Sequence, residues 1–257
     1  MNPAITDWSS QRVWVVGASS GIGEATAIAM LRRGARVALS ARNRTALDAV
    51  ASRFEADRTC VLPLDLTVPG ASASALEAIT IAWGRVDLAL FFAGTHRPVR
   101  AWDLDSGIAR ELFGLNVLGV TDALACVIPH LLQRGSGGIG IVSSVAGYRG
   151  LPTALMYGAT KAALINLAET LYLDLAPKGL GVYLINPGFV KTPLTDKNAF
   201  RMPALISAEQ AAGEIVRGLE RGAFEIHFPR RFTWWLKLMR IVPYRWYFPL
   251  VHRFTGL

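Results

Sequence analysis

The stretch YGATK sets a phenol and an amine four residues apart, Tyr157 and Lys161. On a helix that spacing brings both side chains onto one face. A free tyrosine, with a pKa of about 10, is a sluggish proton carrier at neutral pH. An ammonium beside it favours the phenolate and is expected to lower that pKa, which would fit the pair for general acid–base work. Just upstream, IVSSVAG carries Ser143 and Ser144. A hydroxyl at Ser144 could hold a carbonyl oxygen beside the tyrosine, or it could simply cap a strand end. So short a pattern arises easily by chance, and its meaning depends on the elements around it.

A second cluster suits phosphate. VVGASSGIGEA places Gly17, Gly21 and Gly23 where an apolar run passes into a helical one, with Ser19, Ser20 and Ile22 on the same loop. Gly17 would permit a tight turn, Gly21 a close backbone approach to a pyrophosphate, and Gly23 close packing of helix on sheet. The helix N-terminus would then offer N–H groups and partial positive charge to the phosphates. The glycine spacing is wider than the usual dinucleotide fingerprint. After the next apolar run comes ALSARNR. Where NAD-preferring enzymes place a carboxylate for the ribose hydroxyls, Ala41 is small and neutral, and Arg42 follows. A guanidinium there can take a 2′-phosphate bidentately, so NADP(H) is favoured over NAD(H); a solvated loop arginine is the other reading. Asp65, with Leu66 in PLDL, can reach an adenine edge or cap a turn.

Such groups need a scaffold to bring them together. Short apolar runs at 12–17, 36–41, 59–66, 86–94, 137–144, 181–188 and 224–228 read as strands. Helical patterns fill 21–34, 44–56, 71–83, 106–134, 153–177 and 207–222, the last opening on a Ser207/Gln210 capping box. This alternation predicts an α/β fold: a doubly wound parallel sheet of about seven strands with helices on both faces. Residues 1–229 read as one domain and 230–257 as an appendage.

With these residues in place, the chain resembles the short-chain dehydrogenase/reductase family over about residues 10 to 228. The resemblance rests on GASSGIG, the AG pair Ala93-Gly94, LNVLG around Asn116, SS before YGATK, and NPGFVKT at 186–192. It implies a single Rossmann-type domain that binds NAD(H) or NADP(H) and assembles as a dimer or tetramer. It also implies roles. Tyr157 matches the acid–base, Lys161 the residue that lowers its pKa and binds the nicotinamide ribose, Ser144 the residue that orients the carbonyl, and Asn116 the holder of a relay water. Pro187 and Gly188 match the loop beside the nicotinamide, Thr192 a carboxamide contact, and Val190 lies between them. Two departures stand out: Val16 replaces a common threonine, and Phe91-Phe92 replace two asparagines, so altered packing is expected beside the adenine side.

The remaining composition narrows partners. Hydrophobic residues make up 52% and charged residues 18%, which favours a filled core over disorder. Cys60 and Cys126 lie far apart in apolar surroundings, so neither a disulfide framework nor a metal site is expected. The net charge of +8 is scattered rather than gathered into an arm, and no nucleic-acid partner is expected. No secretory signal or spanning run of about 18 uncharged residues is seen, which points to a cytoplasmic protein. Phe189, Leu194, Phe200, Met202 and Leu205 after NPG, with Tyr148, Leu151, Leu155 and Met156, suggest a cleft for a hydrophobic ketone, aldehyde or alcohol, or a lid packed on itself. A non-catalytic nucleotide-binding scaffold at a membrane surface is the competing reading, which the intact Asn116, Ser144, Tyr157 and Lys161 oppose. The end of the chain, RRFTWWLKLMRIVPYRWYFPLVHRF, mixes bases with aromatics and has no acidic residue. Phe232, Trp235, Leu236 and Met239 fall on one helical stripe, with Pro243 and Pro249 expected to break the segment. It would lie on the inner face of a membrane, cover the cleft, or join subunits.

Overall fold

The computed structural model describes residues 2–197 and 202–256; the predicted loop residue Phe200 lies outside them. Seven strands form one sheet: β1 (Arg12–Val16), β2 (Arg36–Ala41), β3 (Thr59–Pro63), β4 (Leu88–Phe91), β5 (Gly137–Val142), β6 (Leu180–Pro187) and β7 (Glu225–Phe228). Their order is β3-β2-β1-β4-β5-β6-β7, and every pairing is parallel. The helices are α1 (Gly21–Arg32), α2 (Arg44–Ala51), α3 (Ala71–Trp83), α4 (Ser106–Phe113), α5 (Val120–Arg134), α6 (Leu155–Leu175), α7 (Ala208–Glu220), α8 (Arg230–Ile241) and α9 (Tyr244–Thr255). The predicted α/β, doubly wound arrangement is present.

Residue alternation along β1 explains why both faces are covered. Val13 and Val15 join a core with Ala27, Met30 and Leu31 of α1 and Ile215, Val216 and Leu219 of α7. Trp14 and Val16 point the other way, into a core with α3, α5 and α6. Strands buried on both faces read as continuous apolar runs, which is why these were visible in the sequence. The 106–134 stretch is long and apolar enough to cross a membrane by composition. Its Leu112, Val120, Leu124, Val127 and Leu131 are instead buried in this protein. The capping box is made in full: Gln210 N–H donates to the Ser207 hydroxyl, and Ser207 N–H donates to the Gln210 side chain.

Two features differ from the sequence expectation. The helix predicted over 106–134 is interrupted by a π-helical turn at Gly114–Gly119, around Asn116. Pro249 does not break the tail: α9 runs through it, and only Pro243 divides α8 from α9. Pro249 lies on an exposed side of α9, where water can satisfy the carbonyl that loses its partner.

The two aromatic departures join opposite cores, Phe91 on one face of the sheet and Phe92 on the other. Phe91 is fully buried and meets Trp14 edge-on at 6.1 Å between ring centroids. Trp14 Nε1–H donates to Ser40 Oγ at 2.9 Å, so its one polar atom is satisfied. Replacing Phe91 by asparagine, the residue common in the resembled family, leaves a void and an unpaired amide. The expected loss is about 3–5 kcal/mol of stability, read as a lower urea midpoint.

Candidate active site

The order of the sheet reverses between β1 and β4, which is where a doubly wound sheet opens a crevice at its carboxyl edge. A cleft of about 440 Å³ lies there. Gly17, Ser19, Ser20, Gly21, Ile22 and Gly23 form one wall, and Arg42, Asp65, Leu66, Ala93 and Gly94 continue it. Ser144, Tyr157, Lys161, Pro187, Gly188, Val190 and Thr192 close the other end. The structure thus brings the predicted residues together around one opening, with Asn116 buried behind it.

The phosphate end is built by close approach. Gly17 has φ of 95°, and a Cβ there would lie 2.6 Å from Ala93 N. A Cβ on Gly23 would lie 2.1 Å from Gly17 O, so α1 can pack this tightly only without one. Ser20 is the N-cap of α1, but its side chain makes no capping hydrogen bond. By contrast, Asn43, Asp105 and Ser207 cap α2, α4 and α7 with their side chains. The uncapped first turn, the glycine cradle and the cleft fit a dinucleotide pyrophosphate. Arg42 stands exposed at the lip. Asp65 is drawn below its usual pKa by the Thr67 backbone N–H and hydroxyl, with a smaller pull from Arg42. Its Oδ1 accepts both Thr67 groups, at 2.9 and 2.7 Å, so it serves as a turn cap while still facing the cleft.

At the other end, α6 presents Tyr157 and Lys161 on one face, with Nζ 5.6 Å from the centroid of the phenol ring. Lys161 is buried and donates to the carbonyl of Val142, the last residue of β5, at 3.0 Å. Desolvation pushes its pKa down to about 8. The expectation for Tyr157 was a lowered pKa, and the structure reverses it. Burial pushes the phenol up to about 12, and its hydrogen bond with Ser144 offsets only part of that. Removing the phenolate's hydration outweighs an ammonium that lies over the ring and is committed to Val142.

The two serines point to different partners. Ser143 is buried and donates to Lys161 C=O at 2.7 Å, fastening β5 to α6. Ser144 lines the cleft together with Tyr157, and its Oγ accepts the Ala146 N–H at 3.1 Å. Asn116 sits in the π turn. Its Oδ1 accepts Thr95 N–H at 2.8 Å, and its Nδ2 donates to Thr95 C=O at 3.0 Å and Thr160 Oγ1 at 3.1 Å. A Cβ on Gly94 would lie 3.3 Å from Asn116 Oδ1 and 3.5 Å from Lys161 Nζ, so this glycine keeps open the gap between them. π turns inserted in α-helices recur at functional sites, and here one carries a site side chain inward.

Several contacts around the site carried no sequence signal. His96 meets the Tyr157 ring edge-on at 4.5 Å. Tyr148, expected at the substrate cleft, instead donates to Glu225 Oε1 at 2.5 Å. Asn186 donates to the same oxygen at 2.8 Å, and Lys237 of α8 reaches Oε2 at 2.5 Å. Burial opposes the Glu225 carboxylate, but Lys237, Tyr148 and Asn186 together hold its pKa below the usual value. Arg149 donates to the carbonyls of Met239 and Val242 at 2.6 Å each, while its guanidinium packs over Tyr244 and Tyr247. Tyr247 OH donates to Gly150 C=O at 2.6 Å. These contacts fasten α8 and α9 to the loop between Ser144 and Tyr157.

A family model described as short chain dehydrogenase matches residues 11–202. The chain belongs to this family. An uncharacterized oxidoreductase of Myxococcus xanthus is 34% identical over 241 residues, covering 93% of this chain and 95% of that protein. A solved short-chain dehydrogenase from Sphingobium yanoikuyae in complex with NADPH superposes with a TM-score of 0.78 at 27% identity, covering 91% of this chain and 97% of that one. A short chain dehydrogenase/reductase from Burkholderia phymatum in complex with NAD has the same fold, with a TM-score of 0.84 at 23% identity over 91% of this chain and 94% of that one. This short-chain dehydrogenase/reductase is therefore an oxidoreductase with a nucleotide-binding Rossmann-type fold.

Lys161 makes the site costly to maintain. Its folded pKa, about 8, lies below the ordinary 10.5. The penalty is therefore full below pH 8 and fades as pH rises toward 10.5, worth about 3 kcal/mol at most. Lys161→Met should raise the urea midpoint at pH 7, with the advantage over the unsubstituted protein shrinking in parallel titrations between pH 8 and 10.5.

Proposed function

We propose that this enzyme reduces a hydrophobic ketone or aldehyde to its alcohol with NADPH, with Tyr157 as the proton donor. The observation that carries the reading is the Ser144–Tyr157–Lys161 cluster at the end of a cleft whose other end has a glycine cradle and an uncapped helix start. When bound, a nicotinamide dinucleotide supplies the hydride. Gly17 to Gly23 would hold its pyrophosphate, Lys161 its nicotinamide ribose, and Pro187, Gly188, Val190 and Thr192 its nicotinamide end. Ser144 orients the substrate oxygen by hydrogen bonding. Tyr157 remains protonated at neutral pH, because its pKa is pushed up to about 12, and it stands ready to give its proton to that oxygen. The Lys161 charge behind the ring favours the phenolate that results. A high phenol pKa suits the reductive direction better than alcohol oxidation.

The preference for NADP(H) over NAD(H) rests on Ala41 and Arg42. No carboxylate stands at the end of β2 to repel a 2′-phosphate, and Arg42 is exposed at the cleft lip, where a bidentate contact is open to it. The apolar character of the substrate rests on Leu194 in the cleft and on Leu151, Met156, Phe189 and Met202 nearby in the chain, all partly buried. Assembly as a homo-oligomer in the cytoplasm would give the exposed Leu118 and Leu173 a partner.

A panel of aliphatic, aromatic and acyl ketones, assayed with NADPH and with NADH, tests this reading. Tyr157→Phe should lower NADPH-dependent reduction by about 10²–10⁴-fold while NADPH still binds; equal turnover by both proteins defeats the assignment. Arg42→Ala should raise KM for NADPH by about tenfold and leave KM for NADH unchanged. A clear NADH preference in the unsubstituted enzyme rules out the Arg42 argument.

A further inference from the structure

α8 is apolar on two sides. Phe232 and Leu236 pack on the core, Thr233 is buried against His227 (Oγ1 to Nδ1, 2.6 Å), and Lys237 is held by Glu225. These settle which side faces inward. The other side carries Leu238, Ile241 and Trp235, and Trp234 flanks it, with one edge of its ring against His227 at 5.6 Å between centroids and the rest in solvent. Leu238, Ile241, Trp235 and Trp234 are 50%, 78%, 68% and 61% exposed. The stripe proposed from the sequence placed Trp235 with Phe232 and Leu236; in the structure it lies on the outward side. A surface helix normally gives its outer face to charged groups. Here the outer face is aromatic and aliphatic, and it is presented rigidly, because Arg149 and Glu225 fix α8 to the body. α9 adds further exposed aromatics, Trp246, Phe248 and Phe254, with exposed Arg245 and Arg253.

The charges around this surface select its occupant. Arg231, Arg245 and Arg253 are exposed along it, while Arg240 turns back over the Tyr148 ring, and no Asp or Glu follows Glu225 in the chain. A second copy placed by a two-fold axis would bring like charges together. Nucleic acid would match the charge and could stack on tryptophans, but Leu238 and Ile241 give it nothing to read or stack on. An anionic bilayer interface matches every feature: Trp at the headgroup level, Leu and Ile toward the acyl chains, and arginines toward lipid phosphates and carboxylates.

We propose that the outward face of α8 and α9 docks this enzyme on the surface of an anionic membrane without spanning it. The contact is independent of the reaction assigned above. It also bears on access, since the anchors of these helices, Tyr148, Arg149 and Gly150, belong to the loop between Ser144 and Tyr157.

Flotation of the full-length protein with vesicles tests the surface. Vesicles of phosphatidylcholine alone are compared with vesicles of equal parts phosphatidylcholine and phosphatidylserine. The protein should float with the mixed vesicles, bind phosphatidylcholine at least about tenfold more weakly, and detach in high salt. The double variant Trp235→Glu/Leu238→Glu alters side chains far out on α8 and should lose flotation while binding NADPH as before and keeping its circular dichroism. The single variant Arg231→Glu, should the double one misfold, is expected to weaken flotation on the mixed vesicles alone. Failure of the unsubstituted protein to float with either vesicle overturns the proposal, as does equal flotation of the folded variants. Light scattering that shows the double variant splitting a lipid-free oligomer would reassign the face to a second copy. Salt-sensitive retention of single-stranded DNA in place of vesicle binding would reassign it to nucleic acid.

Discussion

An ammonium is held inside this protein with no carboxylate to balance it. Lys161 is 4% exposed, and among the described residues no acidic group lies within ion-pair distance of it; its hydrogen bond goes to the Val142 carbonyl. Burying an unpaired charge is costly, and the group would escape to water if the backbone could yield. The surroundings prevent this. Ser143 clamps the carbonyl of Lys161 itself, and Thr160, one residue earlier, is tied to Asn116 and to the Tyr157 carbonyl. Gly147 packs so closely on α6 that a Cβ there would lie 2.6 Å from the Lys161 carbonyl carbon. The cation stays because β5, α6 and the π turn are locked together by groups other than the cation.

The same burial sets the two titrating groups apart. Desolvation raises Tyr157 and lowers Lys161, so both directions follow from one cause acting on acids of opposite charge type. Groups in a cleft whose environments move their pKa values in this way are candidates for acid–base work. The stability is supplied elsewhere, by a parallel sheet buried on both faces. Glu225 illustrates the contrast. It too is largely buried, but it has three partners, and its charged form is favoured rather than opposed.

What the sequence made legible follows from the range of the interactions involved. Strands buried on both faces show as unbroken apolar runs, so the sheet could be read almost strand by strand. Tyr157 and Lys161 were legible because helical geometry relates residues four apart, and Ser207 with Gln210 because a capping box is local. The π turn was not, because an extra residue in a turn leaves the propensities of Leu115 or Val117 unchanged; it is imposed by tertiary contacts of Asn116 with Thr95 and Thr160. The direction of the Tyr157 shift was missed for a related reason. Spacing shows that an ammonium is near, whereas the depth of burial depends on the whole fold. Tyr148 and Glu225 are 77 residues apart, and nothing local links them.

The tail shows how far pattern alone can carry an argument. A helix with apolar residues on two sides offers two candidate inner faces, and periodicity cannot choose between them. The choice is made by Thr233, whose small hydroxyl fits against His227, and by Lys237, whose charge is met by Glu225. Once those two are inside, Trp235 and Leu238 must be outside, and Trp234 flanks the seam against His227. The Arg149 guanidinium completes the arrangement by taking up carbonyls at the end of α8, groups that no helical N–H can reach. The exposed apolar face is therefore a consequence of polar pairing on the hidden side.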